Sequence, residues 1–215
     1  MIKANKLVNK NFLSSFDISS QEVHHILELA RNFKNKDFNL KREGKVLGLI
    51  FDKSSTRTRV SFQVAMARLG GTTIDLNPTT SQIGRGEPIR DTARVLSRYC
   101  DVLAIRTFKQ SVLEEYAKWA TIPVINALTD LEHPCQALAD FLTIKEEFGG
   151  LDGKVRSYIG DSNNVANSLM ICGALLGVEV RIATPKGYEP NNVLINKLLS
   201  SYSLVALSIT KEFGS

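Results

Sequence analysis

Apolar positions recur along the chain with two different periods, and their alternation predicts the order of elements. Residues 19 to 34, SSQEVHHILELARNFK, put Val23, Ile26, Leu27 and Ala30 on one helical face, with Ser19 or Ser20 as the cap and Glu22 in the first turn. Residues 45 to 51, KVLGLIF, are instead a short unbroken apolar run between Gly44 and a polar turn, which suits a buried parallel strand. The helix that follows closes at Gly70 and Gly71, and TTIDL reads as the next strand. Helical spacing resumes from Glu87 to Tyr99, DVLAI is a strand, SVLEEYAKWA a helix and PVINAL a strand. A long helix then starts at Pro134, where the first turn needs no N–H, and ends at Gly149 and Gly150.

After the double glycine the series restarts, with strand and turn in LDGKVRSYIGD, helix in NNVANSLMICGALLG, strand in VEVRIAT, a KGYEP loop and helix in NVLINKLL. The whole predicts an α/β fold of two domains with parallel sheets flanked by helices. The break near 149 to 153 separates residues 1–148 from 149–215, with the helix at 134–148 bridging them. Residues 77 to 90, NPTTSQIGRGEPIR, lack apolar periodicity and read as a long exposed loop, of a length that usually carries function.

Composition narrows the class without changing this picture. With 215 residues, 43% hydrophobic and 23% charged, the chain is that of an ordinary globular protein with a sizeable core. The net charge of +5 comes from cations interleaved with acids, so a nucleic-acid footprint is weakly supported and an anionic small molecule fits equally well; no nucleic-acid partner is expected. No apolar segment approaches the ~18 residues of a membrane span, and MIKANKLVNKNFLSS lacks a signal-type apolar region, so a cytoplasmic protein without a membrane partner is expected. Cys100, Cys135 and Cys172 have no ligand spacing and read as free thiols, His24 and His25 as helix-surface residues, and no metal site assembles from them with His133. The turn at Gly160 to Asn164 lacks G-x-G-x-x-G, so no dinucleotide is expected, and no other cofactor.

The candidate chemistry lies at strand ends. In FDKSSTRTRVSFQVAMARL, residues 51 to 69, the hydroxyls of Ser54, Ser55, Thr56 and Thr58 alternate with Arg57 and Arg59 at a helix start. Free backbone N–H groups, the helix dipole, O–H donors and at least one guanidinium then converge as a phosphate site requires, although both arginines also read as solvated surface cations. Arg106 follows the strand DVLAI at the same carboxyl edge, where ligands collect in open α/β sheets, and His133 and Gln136 follow PVINAL. An arginine and an imidazole N–H can stabilise charge developing on an oxyanion, and a glutamine can orient an amide. Cys135 reads as a packing thiol rather than a nucleophile.

The motifs FDKSSTRTR, SQIGRGEPIRDTARVLSRYCD, AIRTF, HPCQALAD, GDSNNVANSL and ATPKGYEP, in this order over residues 1 to 190, resemble the aspartate/ornithine carbamoyltransferase family, and HPCQ its ornithine branch. The resemblance implies a carbamoyl phosphate domain (1–148) followed by an ornithine domain (149–215), trimers or multiples of trimers, and no cofactor. It implies that Ser55, Thr56, Arg57 and Thr58 bind phosphate, and that Arg106 bridges phosphate and the carbamoyl oxygen. His133 and Gln136 would hold the carbamoyl group, Gln82 would reach a neighbouring subunit's carbamoyl phosphate, and Asn164 would contact ornithine. Asp52 stands where the family more often has Glu, and Ser162 where it has Gly. The family's Asp-x-x-x-Ser-Met-Gly loop and His-Cys-Leu-Pro motif do not occur, so a C-terminally truncated second domain is expected. The expected activity is carbamoyl transfer from carbamoyl phosphate to L-ornithine, with a non-catalytic phosphate-binding fragment, or another amine such as putrescine, as alternatives.

Overall fold

The computed structural model describes residues 7, 9–35, 40–77, 81–202 and 207–210; residues 78 to 80 of the predicted loop, most of the first eight residues and the last five lie outside the described residues. In chain order the first half forms α1 (Ser20–Lys34), β1 (Val46–Phe51), α2 (Thr56–Arg68), β2 (Thr72–Leu76), α3 (Ile89–Leu96), β3 (Val102–Arg106), α4 (Gln110–Trp119) and β4 (Val124–Leu128). The second half forms α5 (Pro134–Glu147), β5 (Val155–Ile159), α6 (Asn164–Leu176), β6 (Glu179–Ala183), α7 (Asn192–Ser201) and β7 (Leu207–Thr210). The chain packs as two compact units, Met1–Leu13 with Lys36–Asp130, and Ser14–Asn35 with Leu131–Ser215. None of the helices described is long and apolar enough to cross a membrane.

In the first unit the strands form a parallel sheet in the order β2-β1-β3-β4. The unbroken run in β1 is explained by burial on both faces. Leu47, Leu49 and Phe51 pack with Met66 of α2, whereas Ile50 packs with Leu113 and Tyr116 of α4 on the other side. Gly48 is required between them, since a Cβ there would lie 2.7 Å from Leu103 Cδ2 and 3.0 Å from Cys100 Sγ. One irregularity lies at the end of β3: Ile105 pairs with Asn126 but Arg106 with Leu128, so the extra residue of the bulge is Ala127 of β4.

The segment read as a loop from 77 to 90 contains a 3₁₀ turn, Gln82–Arg85, closed by Gly86 at φ 89°. Helix α3 starts at Ile89 rather than Glu87, because Pro88 occupies the cap and the Glu87 carboxylate instead accepts from Thr92 Oγ1 at 2.7 Å.

The second unit is built on a parallel sheet in the order β5-β6-β7. The four-residue strand β7, LSIT, is too short to declare itself in the sequence. Helix α6 is buried from Ala166 to Gly173, and Gly173 lets it approach β6: a Cβ there would lie 2.3 Å from Val180 Cγ2. Helix α1 begins with a capping box in which Ser19 and Glu22 satisfy each other's backbone N–H groups, and it buries Val23 and Leu27. His24 is exposed, its Nδ1 2.9 Å from the carbonyl of Ser20.

Candidate functional site

The first unit gathers one group of predicted residues where β1 and β3 end side by side. Phe51 is in register with Arg106, and the Asp52 N–H donates to the Arg106 carbonyl at 2.9 Å. Four residues past β1 the chain enters α2, with Ser55 as its cap in extended conformation, accepting from the Thr58 N–H at 3.3 Å. This leaves the Ser55 O–H proton and the early N–H groups of α2 as donors, at the positive end of a helix 13 residues long. Among the described residues Arg106 Nε is buried and has no hydrogen-bond partner, and burial lowers the guanidinium's pKa. Arg156 Nε is buried without a partner as well, so what distinguishes Arg106 is its strand-end position beside Phe51 and Asp52. Gln82, exposed at the start of the 3₁₀ turn, is not part of this strand-end group.

The two arginines that residue type leaves equivalent, and of which the resemblance picks Arg57 for phosphate, have different surroundings here. Arg59 forms an ion pair with Asp75 of β2 and lies over the Phe51 ring at 4.9 Å, so it ties α2 to the sheet. Arg57 is exposed and has no carboxylate partner among the described residues. Arg59→Ala is therefore expected to lower stability by about 1–2 kcal/mol, and Arg57→Ala to stay within about 0.5 kcal/mol of wild type. Urea unfolding of the two variants checks this; equal losses would refute the division of labour.

The second unit holds His133 and Gln136 at the start of α5 and Asn164 at the start of α6. His133 is the cap residue of α5, 9% exposed, with its side chain making no capping bond, and Pro134 occupies the first turn. Gln136 is exposed, and its Nε2 donates to Asp140 Oδ1 at 2.8 Å, which orients Oε1 as the free acceptor. Asn163 caps α6 by accepting from the N–H groups of Val165 and Ala166, and half-buried Asn164 is the helix's first residue.

Three residues that sequence reasoning missed stand around His133. Leu131 O accepts from Asn167 Nδ2 at 2.9 Å, and the His133 N–H donates to Ser168 Oγ at 2.8 Å. Glu132, 1% exposed, accepts from the Ser15 N–H at 2.9 Å and from Ser14 Oγ. Burial raises the Glu132 carboxyl's pKa, against the opposing pull of the Ser14 and Ser15 bonds. Burial likewise pushes the Cys135 thiol up to about 11 and the Cys172 thiol to about 12, so neither offers a thiolate at neutral pH.

Two family models match the chain in succession: the carbamoyl-P binding domain of aspartate/ornithine carbamoyltransferase over residues 10–146, and the Asp/Orn binding domain over residues 152–212. An ornithine carbamoyltransferase of Prochlorococcus marinus (strain MIT 9312) is 75% identical over 202 residues, covering 94% of this chain and 66% of the relative. The chain thus spans slightly less than two thirds of the length of that curated relative. Among solved structures, ornithine carbamoyltransferase from Gloeobacter violaceus is similar with a TM-score of 0.86 and 48% identity, over 95% of this chain and 68% of that one. The enzyme from Pyrococcus furiosus gives a TM-score of 0.89 and 47% identity, over 95% and 67%.

Proposed function

This chain belongs to the aspartate/ornithine carbamoyltransferase family, and on that premise we propose that it acts in transfer of the carbamoyl group of carbamoyl phosphate to the δ-amine of L-ornithine, giving L-citrulline and phosphate. The observation that carries the reading is Arg106: a half-buried guanidinium with an unpartnered Nε at the end of β3, in register with Phe51, four residues before the cap of α2. In this reading Ser55, Thr56, Arg57 and Thr58 take the phosphate oxygens, and Arg106 spans phosphate and carbamoyl oxygen. His133 and Gln136 hold the carbamoyl group, with Gln136 Oε1 accepting from its NH₂. Residues 1–148 serve as the carbamoyl phosphate domain and 149–215 as the beginning of the ornithine domain, where Asn164 meets the amino acid. Gln82 serves a neighbouring subunit of a trimer, and the enzyme works in the cytoplasm.

The neutral δ-amine adds to the carbamoyl carbon, negative charge grows on the carbonyl oxygen, the C–O bond to phosphate breaks, and the nitrogen gives its extra proton to the departing phosphate. Donors fixed in advance at the oxygen and the leaving phosphate stabilise that charge more than the ground state, so no covalent intermediate is needed. The raised pKa values of Cys135 and Cys172 fit a reaction without a thiolate.

The test is twofold. Carbamoyl phosphate at a hundred times its dissociation constant is expected to stabilise the protein by about 2.7 kcal/mol, and ornithine with carbamoyl phosphate to yield citrulline. No stabilisation at millimolar carbamoyl phosphate would sink the reading; stabilisation without citrulline would leave a carbamoyl phosphate-binding module.

A further inference from the structure

The three residues that lead into α5 are each anchored within the second unit. Leu131 is held by Asn167, Glu132 by Ser14 and Ser15, and His133 by Ser168. Asn167 and Ser168 are adjacent on α6, 8% and 0% exposed, in a segment otherwise lined by Ala166, Leu169, Met170 and Ile171. Polar side chains so deep in an apolar segment are unfavourable unless bonded, and a carboxylate at 1% exposure more so.

We propose that Glu132, Asn167 and Ser168 are positioning residues for His133, fixing its backbone so that the imidazole is presented to the carbamoyl group at one place. The inference rests on the reading of His133 given above. A helix cap commonly spends its own side chain on the N–H two or three residues on; His133 does not, and holds φ −130° and ψ 70°. Its backbone direction is therefore set from outside. Ser168 Oγ accepts from the His133 N–H at 2.8 Å, and its own proton faces Glu132 Oε2 at a longer 3.5 Å. One carboxylate thereby orients the acceptor and, through Ser14 and Ser15, restrains the peptide preceding His133. Transition-state stabilisation tolerates displacements of only about half an ångström, so the bonds act on the reaction although none touches substrate.

The experiment compares Ser168→Ala, Ser168→Thr and Ile171→Val in the full chain. It reads amide hydrogen exchange at His133, the carbamoyl phosphate dissociation constant and thermal stability. Ser168→Ala is expected to speed His133 exchange and weaken carbamoyl phosphate binding about tenfold, with Ser168→Thr restoring affinity to within about twofold. Ile171→Val, which trims the same helix, lowers thermal stability and leaves affinity unchanged. Should the extra methyl of threonine prevent folding, Asn167→Ala releases Leu131 without added volume and is expected to weaken binding about three- to tenfold. Unchanged affinity in Ser168→Ala, or affinity losses in all variants that merely track stability, overturn the proposal. A wild-type chain that binds no carbamoyl phosphate, with His133 still protected from exchange, is the separate signature of a failed functional reading, and the inference falls with it.

Discussion

Arg106→Met is expected to weaken carbamoyl phosphate binding about a thousandfold, roughly 4 kcal/mol, while leaving the ligand-free protein as stable as wild type or about 1 kcal/mol more stable. The two signs follow from one observation. Without ligand the guanidinium is half-buried with an unpartnered Nε, and burial opposes its charge, so the native state gains little from it. Methionine keeps a flexible apolar stem of similar reach and removes the charge. With ligand the same group is a fork for an anion in a partly dry setting, and its loss leaves anionic oxygens poorly compensated. Unfolding in urea with and without carbamoyl phosphate separates the terms: the wild type should gain stability with ligand and the variant should not. A variant that is destabilised without ligand, yet still stabilised by it, would make Arg106 a structural residue.

What the sequence disclosed of this site, and what it withheld, follows the range of the interactions concerned. The apolar run of β1, the Ser19 cap and the start of α2 were legible because each depends on residues within one or two turns of each other. The structural contacts of Arg59, as against exposed Arg57, were not. Its ion pair is with Asp75, 16 residues on and brought alongside by the pairing of β1 with β2. The bulge at Ala127 arises between two strands and leaves no mark within either. Glu132 drew no attention in the sequence, because its serine partners are 117 and 118 residues away and nothing local announces them. Asn167 and Ser168 likewise drew no attention within the helix NNVANSLMICGALLG, because their partners Leu131 and His133 lie 36 and 35 residues earlier. Elements and caps set by near neighbours could be read ahead, whereas contacts between residues far apart in the chain could not.

Glu132→Gln carries the sharpest pH signature. Burial, with a smaller contribution from Asp17, raises the folded-state pKa of Glu132 above its unfolded value. Between the two values the folded protein retains a proton that the unfolded chain has released, so stability falls as pH rises through that window, by up to about 1.4 kcal/mol per pH unit. Below the unfolded value both states are protonated and the loss vanishes. Glu28 works in the opposite sense: its bond to Lys145 lowers its pKa, so its contribution is lost as pH falls through the lowered value. That pair is 21% and 40% exposed, and screening keeps its part small. In the glutamine variant Oε1 can accept from the Ser15 N–H and the Ser168 hydroxyl, while Nε2 donates to Ser14 Oγ, so the hydrogen bonds survive and only the buried charge goes. The expected result is a gain of about 2 kcal/mol at pH 7 that shrinks toward pH 4, measured as the difference between urea-unfolding free energies of variant and wild type across that range. Parallel pH profiles would show that Glu132 does not titrate on unfolding, and that its burial is fully offset by the two serines and the turn that carries them.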